Sequence, residues 1–188
     1  MFDKELVKNK LMEWEGALKG YALPDWEGFP SLPLYMDQVT FLLNGYLSLF
    51  PEDEQAETIV TPAMINNYVK LKIIPAPVKK RYSREHLAYL VMVCVLKQSM
   101  STGDIRRLIP SDLPLEEVQR LYADFVATVR EIQGAFCEAV RQAAMPVLEQ
   151  DGPPVSHLVF QAAVAANLFR QVTEKLVALR TEAPAAGE

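Results

Sequence analysis

The chain lacks the residues and segments from which several classes of function are built. Only two histidines and two cysteines occur among its 188 residues, and Cys94 and Cys137 have no cysteine or histidine partner at metal-ligand spacing. The eight glycines are scattered singly, so there is no glycine-rich phosphate loop. We therefore expect no enzyme activity, no catalytic residue, no metal site and no cofactor, and we expect both cysteines to be reduced core residues.

Long hydrophobic runs are also missing. The longest apolar run, residues 87–96, is far shorter than the roughly 18 to 20 residues that a membrane-spanning helix needs. The first five residues are charged and amphipathic, and they do not resemble an export signal. These absences predict a cytoplasmic protein with no membrane partner.

Charge is distributed unevenly along the chain, which carries a net charge of −5. Residues 61–110 contain nine basic and two acidic side chains, so this segment is at +7 and the rest of the chain is at −12. Such a basic island can attract a polyanion such as DNA, while the acidic remainder opposes nonspecific binding. A merely solvated basic face is the alternative interpretation.

Hydrophobic periodicity predicts a mostly α-helical chain. Amphipathic helices are expected over residues 2–19 and 35–49, followed by an acidic linker, 52–57. Thr61-Pro62 then starts a short helix that reaches about Leu71, since threonine caps free amides and proline is favoured at the first helical position. Two prolines at 75 and 77 force the next stretch into an extended arm or wing that ends at Tyr82.

A buried helix and a long helical hairpin follow. Ser83 caps a helix whose body, 87–97, is apolar on nearly every face and must be buried. A brief helix runs from Ser101 through Leu108. Two long helices are then expected, the first ended by Pro146 and the breaker 151–154, and a frayed tail is expected over 181–188. We predict two domains, residues 1–110 and residues 111–188.

Apolar residues recur along both hairpin helices at alternating steps of three and four, as in a coiled-coil seam. We predict that this hairpin forms a homodimer, with packing inside the monomer as the alternative. A small-molecule effector between the hairpin and the first domain is possible but unidentified. Aromatic side chains that could line its pocket, or else fill the core, are Tyr122, Phe125, Phe136, Phe160 and Phe169.

The helix that begins at Thr61 has two chemically different faces. Its apolar residues Met64, Ile65, Tyr68 and Leu71 are spaced to lie together toward the core. The opposite face carries Ala63, Asn66, Asn67 and Lys70. The asparagine amide offers a donor and an acceptor that match the major-groove edge of adenine, and lysine can reach phosphate or guanine.

Basic residues around the arm that follows would meet the DNA backbone, where contacts need little beyond charge and reach. Tyr82 in this arm is expected to be a core residue, with a phosphate contact as the less favoured alternative. The candidate DNA-binding residues are Thr61, Ala63, Asn66, Asn67, Lys70, Lys72, Lys79, Lys80, Arg81 and Arg84.

These segments resemble a known family. The run from Thr61 to Pro75, then the run from Val78 to Leu87 and the run from Ser101 to Ile109, resemble in order and spacing the winged helix-turn-helix of MerR-family regulators. A closer resemblance, over residues 23–109, is to a bacterial domain-of-unknown-function family that also carries the Leu34-Tyr-Met-Asp-Gln-Val string.

The resemblance implies a MerR-like winged helix-turn-helix domain, with the motif over about 35–109, followed by a long C-terminal helical hairpin. The first motif helix would be 35–49, the recognition helix 61–71, the wing 73–82 and the dimerisation helix 115 onward. The chain departs from the family pattern at Asn66, Asn67 and Lys72, where an arginine, an aromatic residue and a turn glycine are usual. It also lacks the cysteine pattern of the metal-sensing members, so no metal effector is expected.

The resemblance therefore implies a transcriptional regulator that binds double-stranded DNA, at an inverted repeat, as a homodimer. The competing hypothesis is a helical protein-interaction module in which the basic segment binds an acidic protein surface. The steeper salt dependence expected of phosphate binding distinguishes the two.

Overall fold

The structure is a computed structural model that describes residues 2–49, 59–149 and 151–179, and the predicted linker 52–57 and tail 181–188 lie outside them. The described residues form seven α-helices and no β-strand, which confirms the prediction of a mostly helical chain. The helices are α1 Lys4–Gly20, α2 Met36–Leu47, α3 Pro62–Lys70, α4 Arg84–Leu96, α5 Thr102–Leu108, α6 Leu115–Leu148 and α7 Val155–Ala178.

Helix α4 lies at the centre of the core. Every residue from His86 to Cys94 is buried, as its all-round apolar sequence predicted. Helices α2 and α6 pack directly against it. Cys94 and Cys137 are buried free thiols, which confirms that they are core residues. Burial raises the pKa of the Cys94 thiol to about 12, so it stays protonated at neutral pH.

Helix α1 packs along α6 rather than on the predicted DNA-binding segment. Arg141 on α6 forms an ion pair with Glu15, and the Lys4 ammonium donates a 2.7 Å hydrogen bond to the Glu149 carbonyl. The two helices are therefore antiparallel. The N-terminal segment therefore supports the C-terminal half of α6.

The turn between α6 and α7 differs in detail from the prediction. Helix α6 does not end at Pro146 but continues to Leu148, because proline removes only one hydrogen bond in this last turn and Val147 is fully buried. Gly152 then lets the chain pass close to the end of α6. A side-chain carbon at Gly152 would lie 1.9 Å from the Pro146 carbonyl oxygen, so only glycine fits.

The predicted seam is buried along only part of its length. Val118 and Tyr122 in the first half of α6 belong to the chain's own core, whereas Ile132 and Phe136 further along are more than half exposed. In α7, every residue from 159 to 172 is exposed. Among the described helices, none is both long and apolar enough to span a membrane.

Candidate nucleic-acid interface

Helix α3 has the two faces that its sequence predicted. Ile65 and Tyr68 are buried, whereas Ala63, Asn66, Asn67 and Lys70 are exposed. The side chains of Asn66, Asn67 and Lys70 form no hydrogen bond or ion pair within the described part of the chain. Their donors and acceptors are therefore available to a partner. The prediction was wrong for Leu71, which is 42% exposed at the end of the helix rather than part of the core.

Capping residues hold α3 at both ends. The Thr61 hydroxyl accepts a hydrogen bond from the Met64 amide at 3.3 Å, so this candidate residue caps the helix N-terminus. At the other end, the Ile73 amide bonds to the Tyr68 carbonyl at 2.9 Å and the Lys72 amide to the Val69 carbonyl at 3.0 Å. These two bonds define a Schellman motif.

Lys72 occupies the position in this motif that glycine usually takes. Its φ is 54°, in the left-handed region where an L side chain crowds the backbone. The backbone here therefore has the left-handed geometry of a glycine turn while the residue is a lysine. The Lys72 side chain is exposed, so the ammonium is held at the end of α3 by a strained backbone.

Two further lysines form a second left-handed turn. Val78 and Arg81 exchange both backbone hydrogen bonds, at 3.1 and 2.9 Å, and enclose Lys79 and Lys80. The φ angles of these two lysines are 51° and 62°. A two-residue loop with positive φ at both positions is a type I′ turn, for which Asn-Gly is the favoured sequence. Both lysine side chains are exposed.

The predicted wing is smaller than a strand-built wing. Within the described residues it consists of isolated bridges, Leu34 with Tyr82 and Val78 with Arg81, because prolines 75 and 77 cannot donate to a ladder. The Leu34 and Tyr82 backbones exchange bonds of 2.8 and 2.9 Å, which attach the arm to the segment before α2. The Tyr82 side chain is buried, as expected of a core residue, so its alternative as a phosphate contact is wrong.

The two candidate arginines differ in their availability. Arg84 donates to the Glu27 carboxylate at 2.7 Å and to the Phe29 carbonyl at 3.0 Å, so it ties α4 to the N-terminal segment. Arg81 is exposed and donates to the Tyr35 hydroxyl at 2.6 Å, with its guanidinium 4.4 Å from the centre of the Tyr35 ring. This contact holds Arg81 beside the start of α2 and leaves other N–H groups free.

Sequence reasoning missed Tyr35 because no local pattern relates it to Arg81, 46 residues later. The only local signal was the tyrosine immediately before a helix start. In the structure Tyr35 is the N-cap residue of α2 and its side chain is about half exposed. It therefore joins the candidate surface as the residue that positions Arg81.

His86 supports the arm from beneath. Its Nδ1 accepts a 3.1 Å hydrogen bond from the Ser83 amide, and its Nε2 lies 3.3 Å from the Ala76 carbonyl oxygen. An accepting Nδ1 places the proton of the neutral ring on Nε2, which can then donate to Ala76. Burial lowers the pKa of His86, although the Ala76 hydrogen bond and the Glu85 charge act in the opposite direction.

An enclosed effector pocket is not formed by the five predicted aromatic residues. Tyr122 is buried in the core and Phe125 packs against it, whereas Phe136, Phe160 and Phe169 are exposed. An open groove of about 800 Å³ lies elsewhere, beside α2 and the start of α3. The described residues contain no group of three or more histidine, cysteine or acidic side chains placed to hold a metal ion.

Fold and surface together define a mostly helical protein that presents a short capped helix with two exposed asparagines, followed in the chain by lysines held in two left-handed turns. The chain belongs to the DUF1836 family, which is described as a domain of unknown function and whose model matches residues 24–125. This segment includes α2 to α5 and the first part of α6, whereas α1 and α7 lie outside it. No curated protein and no solved structure matches the chain.

Proposed function

We propose that this protein is a cytoplasmic transcriptional regulator that binds double-stranded DNA at an inverted repeat as a homodimer. In this proposal α2 and α3 form a MerR-like helix-turn-helix, and α3 is the recognition helix. The turn at Lys79 and Lys80 replaces a strand-built wing. Support comes from the exposed polar face of α3 and from the basic residues on the turns that follow it.

The observation that carries the proposal is the left-handed backbone of Lys72, Lys79 and Lys80. Each lysine replaces a glycine or asparagine at a cost of roughly 1 kcal/mol in backbone strain. None of the three makes a side-chain hydrogen bond or ion pair within the described residues that would offset this cost. Three lysines with a strained backbone and an exposed ammonium group therefore lie within nine residues. Contacts of these ammonium groups with phosphates would explain them.

The proposed division of tasks follows from side-chain chemistry. Asn66 and Asn67 read adenine edges in the major groove, because each amide can donate and accept at once. Lys70 and the three strained lysines contact phosphates, and Arg81 reaches the backbone from its position on Tyr35. A homodimer would place two copies of α3 in successive major grooves, about one helical turn apart.

The experiment is selection of bound duplexes from a random DNA pool by the wild-type chain and by the triple variant Asn66→Ala, Asn67→Ala, Lys70→Ala. The wild type should enrich one inverted repeat, and the variant should lose that enrichment. The melting temperature of the triple variant should stay within a degree or two of the wild-type value, because the three side chains are exposed and unbonded in the described structure.

A matched control is available on α1, where Lys8 and Asn9 are adjacent and exposed on a helix outside the proposed interface. The double variant Lys8→Ala, Asn9→Ala should enrich the same repeat as the wild type. Absence of duplex binding by the wild type, or equal enrichment by the triple variant, would contradict the proposal. Absence of binding would leave the protein-interaction module as the better account.

A further inference from the structure

The middle of α7 is largely apolar and uncovered, with Gln161, Asn167, Arg170 and Gln171 as its polar residues. Its first turn is anchored by buried Val155, and Val177 near its other end packs against the core. Between these ends every residue from 159 to 172 is exposed. The large apolar side chains in this stretch are Val159, Phe160, Val164, Leu168, Phe169 and Val172.

The middle of α6 also has an open face, which exposes apolar side chains. Phe136 lies seven residues from both Val129 and Ala143, so the three share one face of α6. Val129 and Ala143 are half-buried, whereas Phe136 is 52% exposed and its neighbour Ile132 is 60% exposed. Both helices of the hairpin therefore expose apolar side chains in their middle parts.

A contiguous exposed apolar patch of several hundred Å² on a protein surface marks an interaction site. The exposed apolar side chains in the middle parts of α6 and α7 amount to roughly 800 Å² per chain, from their exposed fractions and about 150–250 Å² for a large side chain. Two such patches give roughly 1,600 Å², the area of a stable protein–protein interface. A second hairpin of the same kind therefore matches the patch in size.

The charge distribution also favours a second copy of this chain as the partner. Arg170 is the one charged residue between 159 and 172, and it forms an ion pair with Glu174 on the same helix, so two copies of this stretch repel each other little. A strongly charged partner would find little opposite charge there. Exposed Ala162, Ala165 and Ala166 allow a second helix backbone to approach closely at the centre of the stretch.

We infer that the middle of α7 and the open face of α6 form a self-complementary interface, into which the α7 helix of a second copy packs. The inference rests on the proposed homodimer and locates its contact at residues 159–172 rather than along the α6 seam. Because Val177 packs against the core and α5 contacts α7, the interface is joined directly to the domain that carries α3.

The test is the molar mass of the full chain by light scattering, without DNA. The wild type should have twice the chain mass of 21.1 kDa. Leu168→Asp and Ala165→Glu should each reduce it to the single-chain mass. Both residues are exposed in the monomer, so helical content by circular dichroism should be almost unchanged.

A control places an acid on an exposed apolar residue elsewhere. Leu32 is 75% exposed in the loop before α2, and Leu32→Asp should remain dimeric. A monomeric wild type, whether or not it binds a lipid surface or another protein, would overturn the inference, as would an unchanged mass for both α7 variants. Because the mass is measured without DNA, its result does not depend on whether the protein binds DNA.

Discussion

The turn at Lys79 and Lys80 gives a prediction in which stability and function change in opposite directions. Replacing the pair with Asn-Gly, the favoured sequence of a type I′ turn, should stabilise the protein. Both φ angles are positive, and relief of left-handed strain is worth about 1 kcal/mol per position. The greater flexibility of glycine in the unfolded chain reduces this gain by about 0.5 kcal/mol. The net gain in unfolding free energy should be about 1.5 kcal/mol.

Thermal unfolding followed by circular dichroism measures this gain, which corresponds to roughly 3–6 °C for a chain of this size. The same double variant should bind duplex DNA more weakly, because it loses two ammonium groups. The control is Lys79→Arg, Lys80→Arg, which keeps both the charges and the strain. It should match the wild type in melting temperature and in DNA binding. A lower melting temperature for the Asn-Gly variant, or unchanged DNA binding, would refute the reasoning.

Three further predictions follow from individual contacts. Gly152→Ala should lower the melting temperature by several degrees in the same unfolding assay, because the added carbon would collide with the Pro146 carbonyl; an unchanged temperature would contradict the turn geometry. His86→Asn should flatten the pH dependence of stability in urea titrations. Because burial lowers the pKa of His86 below its unfolded value, its contribution is complete above about pH 6.5 and is lost as the pH falls, and an unchanged pH dependence in the variant would contradict this role. Thr61→Ala should cost about 1 kcal/mol in urea unfolding through loss of the helix cap, and a neutral result would contradict the capping role.

Local sequence signals predicted much of the fold. Thr61-Pro62 and Ser83 located the starts of α3 and α4, because side-chain caps and proline act within one turn of a helix. Helical periodicity correctly predicted that Asn66 and Asn67 are exposed and Ile65 is buried. These predictions needed no knowledge of tertiary contacts.

Other features depend on contacts between distant residues or on backbone geometry. The Arg84–Glu27 ion pair joins residues 57 positions apart, so the sequence could not show that this arginine is occupied. The left-handed φ of Lys79 could not be predicted, because lysine, unlike glycine, is not a residue that indicates such a turn. The extent to which α7 is exposed could not be predicted, since a coiled-coil-like pattern does not reveal whether its partner lies in the same chain.

The most direct test of the central claim is the salt dependence of binding to the selected duplex. If Lys70, Lys72, Lys79, Lys80 and Arg81 of each subunit contact phosphates, a homodimer neutralises about ten of them. A plot of log K against log salt concentration should then have a slope of about −9, and the Asn-Gly variant should reduce its magnitude by about 3.6. A slope near zero, or the same slope for both proteins, would contradict the account.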